Sequence, residues 1–214
     1  MLVDVELALQ SLSKKRAIFH SESDLQHALA WELHSIYPNC SVRLEKRMNI
    51  LEEPTYVDLL IILNDQKTAI ELKYKTRELF AVVDNEVYWL KGQSAQDQGR
   101  YDFLKDVQRL EDITSRYKGT TGYAIILTND SAYWKQPLSS NTVDASFRIH
   151  EGREIVGQLS WGTNASDSTK NNREKDIRLR NTYTAVWSGY SVLNEEEVRD
   201  GKYINFRLLC LKIE

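Results

Sequence analysis

Two carboxylates and a lysine converge on one predicted β-hairpin of this 214-residue chain. Two short apolar runs, 56–63 and 68–73, are separated by four polar residues, a pattern typical of antiparallel strands joined by a tight turn. If that turn is symmetric, Asp58 faces Glu71 across the two strands. Lys73 projects from the same face, because side chains alternate along a strand.

This arrangement predicts a site for a cation. Two adjacent carboxylates in a buried sheet are costly unless a positive charge lies between them. Hard oxygen ligands suit Mg²⁺ or Mn²⁺, and a metal held there would lower the pKa of a bound water and stabilise charge on a phosphate. Lys73 could orient or deprotonate that water or neutralise the phosphate. A structural ion triad of Lys73 with the two acids is the open alternative.

A helix before the hairpin carries a further carboxylate. Ser21 and Asp24 have the spacing of a capping box, so a helix is predicted to start there and to end at Tyr37-Pro38. Glu22 falls on the same side of this helix as its apolar stripe, so its carboxylate is expected to point toward the core. Alternation over 42–48 then predicts a strand.

Sequence patterns also predict the elements that follow the hairpin. A polar and aromatic connection runs to Ser94, the residues 95–117 have helical periodicity, and 122–128 read as a core strand. A short amphipathic helix is also predicted at the start of the chain, from the spacing of Leu2, Val5, Leu9 and Leu12.

The remainder of the chain indicates a β-rich extension. Strand-like pieces lie near Phe147 and over Val156–Trp161, Tyr183–Tyr190 and Tyr203–Ile213. The stretch 162–181 has almost no apolar residue and is predicted to be a loop. Its end, 170–180, holds five basic and two acidic residues, which is typical of a solvated loop or of a segment that orders on a DNA backbone.

The order of these features resembles the PD-(D/E)XK nuclease superfamily, the fold of many restriction endonucleases and DNA-repair nucleases. An acid on an early helix, an Asp on a strand, and Glu71-Leu72-Lys73 before a helix and a strand match the superfamily from about Ser21 to Thr128, half of the chain. The Pro that often precedes the motif Asp is missing here, and this Pro varies widely in the superfamily. The E-x-K tripeptide alone is a weak motif, and the upstream Asp and the element order make the match moderately specific.

The resemblance implies an α/β (α+β) protein with a restriction-endonuclease-like αβββαβ core. A mixed central sheet would be flanked by helices, in a single domain over 1–214 with its core at about 21–130 and a β-rich C-terminal elaboration at about 131–214. It implies a metal-dependent endonuclease, a hydrolase that cleaves DNA phosphodiester bonds.

The same resemblance assigns roles to individual residues. Asp58, Glu71 and the backbone carbonyl of Leu72 would hold Mg²⁺ or Mn²⁺, Lys73 would position the attacking water, and Glu22 would hold a water or a second ion. These four side chains are the expected catalytic residues.

The long predicted helix and the basic stretch supply substrate-binding candidates. Superfamily nucleases often carry a Gln and a Tyr on this helix, and Gln98 and Tyr101 match that spacing incompletely. Asp102, Asp106 and Arg109 line another helical face at i, i+4 and i+7, where ordinary exposed helix pairs are one interpretation. We prefer that interpretation for Asp102 and keep Arg109 as a candidate. The remaining candidates for DNA contacts are Arg173, Lys175, Arg178 and Arg180.

Composition excludes several classes of function. The 28 Lys and Arg against 31 Asp and Glu give a net charge of −3, which excludes a polycationic nucleic-acid coat but leaves room for one basic groove. Cys40 and Cys210 match no disulfide framework or zinc pair, and the sequence has neither a signal-peptide pattern nor a run of about 18 apolar residues. We therefore expect a cytoplasmic protein without a membrane span.

Several alternatives stay open. DNA is the expected partner, with RNA and a homodimer left open. A non-catalytic nucleic-acid- or protein-binding module on the same fold is the alternative function. A carbohydrate- or peptide-binding β-rich protein, suggested by the aromatic C-terminal half, is a third.

Overall fold

The computed structural model describes residues 3–49 and 55–214. It is a mixed α/β fold built on a six-stranded sheet with the strand order β1-β2-β3-β6-β10-β9. The helices are α1 Val5–Ser13, α2 Glu22–Ile36, α3 Gln96–Arg116 and the short α4 Asp167–Lys170. The strands are β1 Ser41–Met48, β2 Thr55–Leu63, β3 Gln66–Lys75, β4 Leu79–Val83, β5 Glu86–Leu90, β6 Thr120–Thr128, β7 Glu154–Leu159, β8 Ile177–Thr184, β9 Trp187–Val192 and β10 Asn205–Ile213.

The central hairpin has the predicted register. Strands β2 and β3 pair from Leu63 opposite Gln66 to Leu59 opposite Ile70, which confirms a symmetric two-residue turn. Asn64 and Asp65 form that turn with φ of 50° and 63°, left-handed values that suit the twist of a tight hairpin. Asp58 and Glu71 are the next positions of this register, one step beyond the last paired residues.

Two cores lie on opposite faces of the sheet. Helices α1 and α2 cover one face, and α3 with the β7–β8 hairpin covers the other. Because β3 pairs in parallel with β6 and antiparallel with β2, the sheet is mixed, as predicted. The elements α2, β1, β2, β3, α3 and β6 follow one another in the predicted sequence, with β4 and β5 inserted between β3 and α3.

The predicted start and end of α2 are confirmed, but the Asp24 carboxylate has other partners than a capping box would give it. The Ser21 hydroxyl accepts from the backbone N–H of Asp24, as expected for an N-cap, and α2 ends just before Tyr37. The Asp24 carboxylate binds the backbone N–H of His20 and the Arg16 guanidinium. In the helix at the start of the chain, Leu2 lies outside the described residues.

The connection between β3 and α3 was predicted without secondary structure, and this prediction is wrong. It contains the β4–β5 hairpin, whose turn at Asp84 and Asn85 has φ of 51° and 65°. The hairpin buries Leu79, Ala81, Tyr88 and Leu90 against the core beside α1 and α2. Its inward-facing apolar residues therefore keep it on the body of the protein.

The C-terminal region extends the sheet. β10 pairs antiparallel with β6, and β9 pairs with β10. Phe147 lies in a 3-10 turn, so no strand forms there. The predicted single strand over Tyr183–Tyr190 is two strands, and the loop predicted over 162–181 gives way to β8 at Ile177, because Ile177 and Leu179 alternate into the core under α3.

No helix within residues 3–49 and 55–214 has the length and apolar character needed to cross a membrane.

Candidate active site

The predicted acidic pair lies where β2 and β3 separate under helix α3. Beyond the last pair of the ladder, the backbone N–H of Leu72 donates to Asp58 Oδ2 at 2.6 Å. Glu71 is only 2% exposed. The Asp58 carboxylate is thus held by β3 itself.

Helix α3 brings two more charged side chains to this point. Lys73 Nζ lies 2.7 Å from Asp106 Oδ2, and the Arg109 guanidinium bridges Glu71 Oε1 at 2.8 Å and Asp106 Oδ1 at 3.0 Å. Arg109 also donates to the backbone carbonyl of Tyr56 at 3.4 Å. Arg109, a substrate-binding candidate from the sequence, therefore lies in the site.

Asp106 is not one of the exposed helix pairs that this face of α3 could have formed. It is 3% exposed, because its side of α3 packs on β3. The available signal was the neighbouring sequence: Phe103, Val107 and Leu110 are core residues of the same helix, so a charge at 106 lies beside a buried stripe. Asp102, by contrast, forms a surface ion pair with Arg173.

Helix α2 contributes from the other side of the sheet. Glu22 Oε2 accepts from the backbone N–H of Tyr74 at 2.7 Å, so this carboxylate is bound to β3 next to Lys73. Its negative charge acts on both Asp58 and Lys73. The expectation that Glu22 points inward is confirmed.

Gln26 is a site-positioning residue that the sequence did not single out. One turn after Glu22, its amide nitrogen donates to the Asp58 carbonyl at 2.7 Å and to Glu45 Oε1 at 2.9 Å. Glu45 has a φ of 47° inside β1, a strained value for a non-glycine residue. The i, i+4 spacing from Glu22 was the signal that could have found Gln26.

Burial and mutual repulsion raise the pKa values of two acids in this cluster, Glu71 and Asp58. Burial raises the pKa of Glu71 well above its ordinary value of 4.5, and the charge of Asp106 raises it further, against the attraction of Arg109. Burial also raises the pKa of Asp58, although the hydrogen bond from Leu72 works in the opposite direction. The folded chain therefore favours neutralisation of these carboxylates, by a proton or by a cation.

The surroundings of Lys73 favour its charged form, whereas those of Glu71 and Asp58 favour the neutral form. Burial acts to lower its pKa, but the charge of Asp106 and the contact with it dominate and raise the pKa above 10.5. The ammonium group is thus protonated at neutral pH. In this arrangement Lys73 can donate hydrogen bonds and neutralise an anion, and it has no lone pair with which to take a proton from water.

The donor set suits a hard divalent cation. The side chains involved are four carboxylates, Glu22, Asp58, Glu71 and Asp106, against two cations, Lys73 and Arg109. They leave two formal negative charges, and oxygen donors of this kind are those that Mg²⁺ and Mn²⁺ prefer. Within 3–49 and 55–214, however, no three His, Cys, Asp or Glu side chains are already arranged around one metal position. A cation would therefore compete with Arg109 for Glu71.

Gln98 and Tyr101 lie on a different part of α3. The Gln98 amide donates to the carbonyls of Ser168 and Thr169, and the Tyr101 hydroxyl donates to the carbonyl of Lys175. These hydrogen bonds attach the C-terminal region to α3, and none of them involves Asp58, Glu71 or Lys73.

The basic stretch is divided between bound and exposed side chains. Arg173 pairs with Asp102 at 2.7 Å, and Arg180 pairs with Asp112 on the same helix. Lys175 and Arg178 are exposed. The prediction that this stretch contacts DNA therefore rests on Lys175 and Arg178, because the other two arginines already have acidic partners.

Comparison of this chain with protein-family models, with curated proteins and with solved structures finds no match in any of the three. A proposal about function therefore rests on the fold and on the geometry of the site.

Proposed function

We propose that this chain is a metal-dependent nuclease of the PD-(D/E)XK type, with a restriction-endonuclease-like core, that hydrolyses DNA phosphodiester bonds. One observation carries the proposal: Asp58 and Glu71 are drawn together between β2 and β3 beside Lys73, in a cluster with an excess of two negative charges. Uncompensated buried carboxylates are costly, and sites of catalysis are where such a cost is tolerated.

The residues that would hold Mg²⁺ or Mn²⁺ are Asp58, Glu71 and the backbone carbonyl of Leu72, with Glu22 beside them. When bound, the ion would activate a water and stabilise negative charge on the phosphate. Lys73 Nζ already donates to the Leu72 carbonyl at 3.2 Å, so its ammonium group lies beside one of these oxygen donors.

The chain's own cations have separate tasks in this proposal. Lys73, held protonated by Asp106, orients the attacking water by donating a hydrogen bond and attracts the scissile phosphate. Arg109 is one-third exposed, so its guanidinium can leave Glu71 and bind a phosphate oxygen. Asp106 keeps both cations next to the acidic pair.

Cleavage of supercoiled plasmid and of single-stranded DNA tests the proposal. Cutting is expected with Mg²⁺ or Mn²⁺ and not with EDTA, and Lys73→Ala is expected to lower its rate about 10²–10³-fold, as for the loss of one preorganised hydrogen-bond donor. Lys67→Ala is the matched control, since this lysine lies at the other end of β3. Metal-dependent cutting that survives Lys73→Ala unchanged would contradict the mechanism.

A non-catalytic nucleic-acid- or protein-binding module is the second candidate. The ion pairs that join Lys73 and Arg109 to Asp106 and Glu71 favour it, because they form a connected network that needs no metal. A module of this kind would bind its target equally well in EDTA and would cut neither DNA substrate.

A further inference from the structure

A cleft with exposed aromatic rings and basic side chains opens beyond the end of β3. It lies between the β4–β5 hairpin and the segment 199–203 and has a volume of about 470 Å³. This volume is within the range of small-ligand pockets. The residues that give it its character are Arg77, Phe80, Trp89, Arg199, Lys202 and Tyr203.

The two walls of this aromatic cleft are joined at its base. The buried side chain of Asn129 accepts from the backbone N–H of Arg77 at 2.7 Å and donates to the Tyr203 carbonyl at 3.1 Å. The backbone N–H of Arg199 donates to the Phe80 carbonyl at 3.1 Å. The cleft is therefore preformed by bonds between strand ends.

Its aromatic rings are unusually accessible. Trp89 is 69% exposed and Tyr203 is 40% exposed. Tyr203 has a φ of 59°, a strained value for a bulky residue, of the kind found where a side chain is held for binding. The Arg77 guanidinium lies 5.0 Å from the centre of the Tyr203 ring and donates to its hydroxyl, so a flat cation already packs on this ring.

Basic side chains in the cleft can bind an anionic ligand. Arg77, Arg199 and Lys202 line it together with the acids Glu78 and Asp200, and Arg77 also lies 4.0 Å from Asp130 Oδ2. Accessible aromatic rings beside basic side chains are the features that bind unpaired nucleotides, by stacking on the base and by attracting the phosphate.

The position of the cleft connects it to the candidate active site. Arg77 follows Lys73 by four residues, so their Cα atoms are no more than about 14 Å apart. This distance is about four steps of a DNA strand at 3.4 Å per step. A strand of a few nucleotides therefore has the length needed to span the two places.

We propose that the aromatic cleft binds an unpaired nucleotide of a DNA strand, a few nucleotides away from the phosphate that lies at Lys73. The inference rests on the proposed function for the choice of DNA, and it adds a preference for DNA with a single-stranded segment. Base stacking on Trp89, which is 69% exposed, supplies the selectivity, because a base must be unpaired to present its face to this ring.

Fluorescence anisotropy of a labelled 20-nucleotide oligo-dT, in EDTA and with the Glu71→Gln chain, measures this binding without cleavage. Trp89→Ala is expected to weaken binding roughly tenfold. Trp31→Ala is the matched control, since Trp31 is 75% exposed on α2, and it is expected to leave the affinity unchanged. The double variant Arg199→Ala with Lys202→Ala should reduce the salt dependence by a slope of about 1.4, the value for two single-strand phosphate contacts.

Three results would overturn the inference: no binding of the oligonucleotide, equal effects of Trp89→Ala and Trp31→Ala, or equal affinity for a blunt duplex of the same length. The first would leave a peptide as the ligand to examine next. Binding without cleavage by the unmodified chain would instead sink the proposed function and leave the cleft as a DNA site. Cleavage at full rate with Trp89→Ala, at unchanged affinity, would overturn the inference about the cleft and leave the proposed function standing.

Discussion

Among the charged contacts of helix α3, those with β3 and with β8 each include a buried glutamate, and the two glutamates have different partners. Glu71 and Glu111 are each 2% exposed. Glu111 accepts from the backbone N–H groups of Arg180 and Asn181 and from the hydroxyl of Tyr183, all within 2.9 Å. Glu71 has an ion pair with Arg109 and the like charges of two other carboxylates nearby.

The difference separates a carboxylate with a full set of hydrogen-bond donors from one whose burial is poorly compensated. Three donors satisfy Glu111, so its burial fastens β8 to the helix. Glu71 has fewer donors and more negative neighbours, so burial and the charge of Asp106 raise its pKa. A buried group left short of partners keeps the capacity to bind a cation.

Replacing each of the two glutamates is expected to change the free energy of unfolding, and this is the largest effect that distinguishes them. Glu111→Ala leaves three donors without an acceptor and is expected to lower the free energy of unfolding by about 3 kcal/mol, measured by urea denaturation in EDTA at pH 8. Glu71→Gln replaces a repelled charge by a neutral amide of the same shape and is expected to raise stability under the same conditions. Equal losses in the two variants would show that both glutamates are structural.

The pH dependence of the free energy of unfolding is a smaller effect, and it tests Glu71 separately from Glu111. Because its folded pKa is raised, the folded state binds the proton more tightly, so the stability it contributes is complete below the ordinary pKa of 4.5 and is lost as the pH rises through the raised value. Other acids, such as Asp24 paired with Arg16, have lowered pKa values and the opposite dependence.

The difference between two melting profiles isolates this contribution. In EDTA, the Tm of the unmodified chain should fall relative to that of Glu71→Gln as the pH is raised from 4.5 to 8. Parallel profiles over this range would mean that Glu71 is not a proton acceptor with a raised pKa.

The sequence predicted the hairpin well because local rules determine it. The polar pair Asn64 and Asp65 fixes the turn, and side-chain alternation then places Asp58 beside Glu71. The same reasoning could have found the β4–β5 hairpin, since Asp84 and Asn85 are also a polar pair between apolar runs.

The residues that helices bring to the site were harder to predict. Asp106 and Gln26 enter it through the packing of α3 and α2 on the sheet, and helical periodicity alone does not say which charged side faces a strand. The same limit applies to Arg173 and Arg180. Their positive charge was visible in the sequence, but their acidic partners on α3 lie about 70 residues earlier in the chain.

Calorimetric titration with Mn²⁺ tests the central claim, that the acids between β2 and β3 form a cation site, most directly. The unmodified chain and Glu111→Gln are predicted to bind Mn²⁺, and Asp58→Asn and Glu71→Gln are predicted to lose that binding. Absence of Mn²⁺ binding by the unmodified chain, or binding that is the same in all four proteins, would contradict the claim.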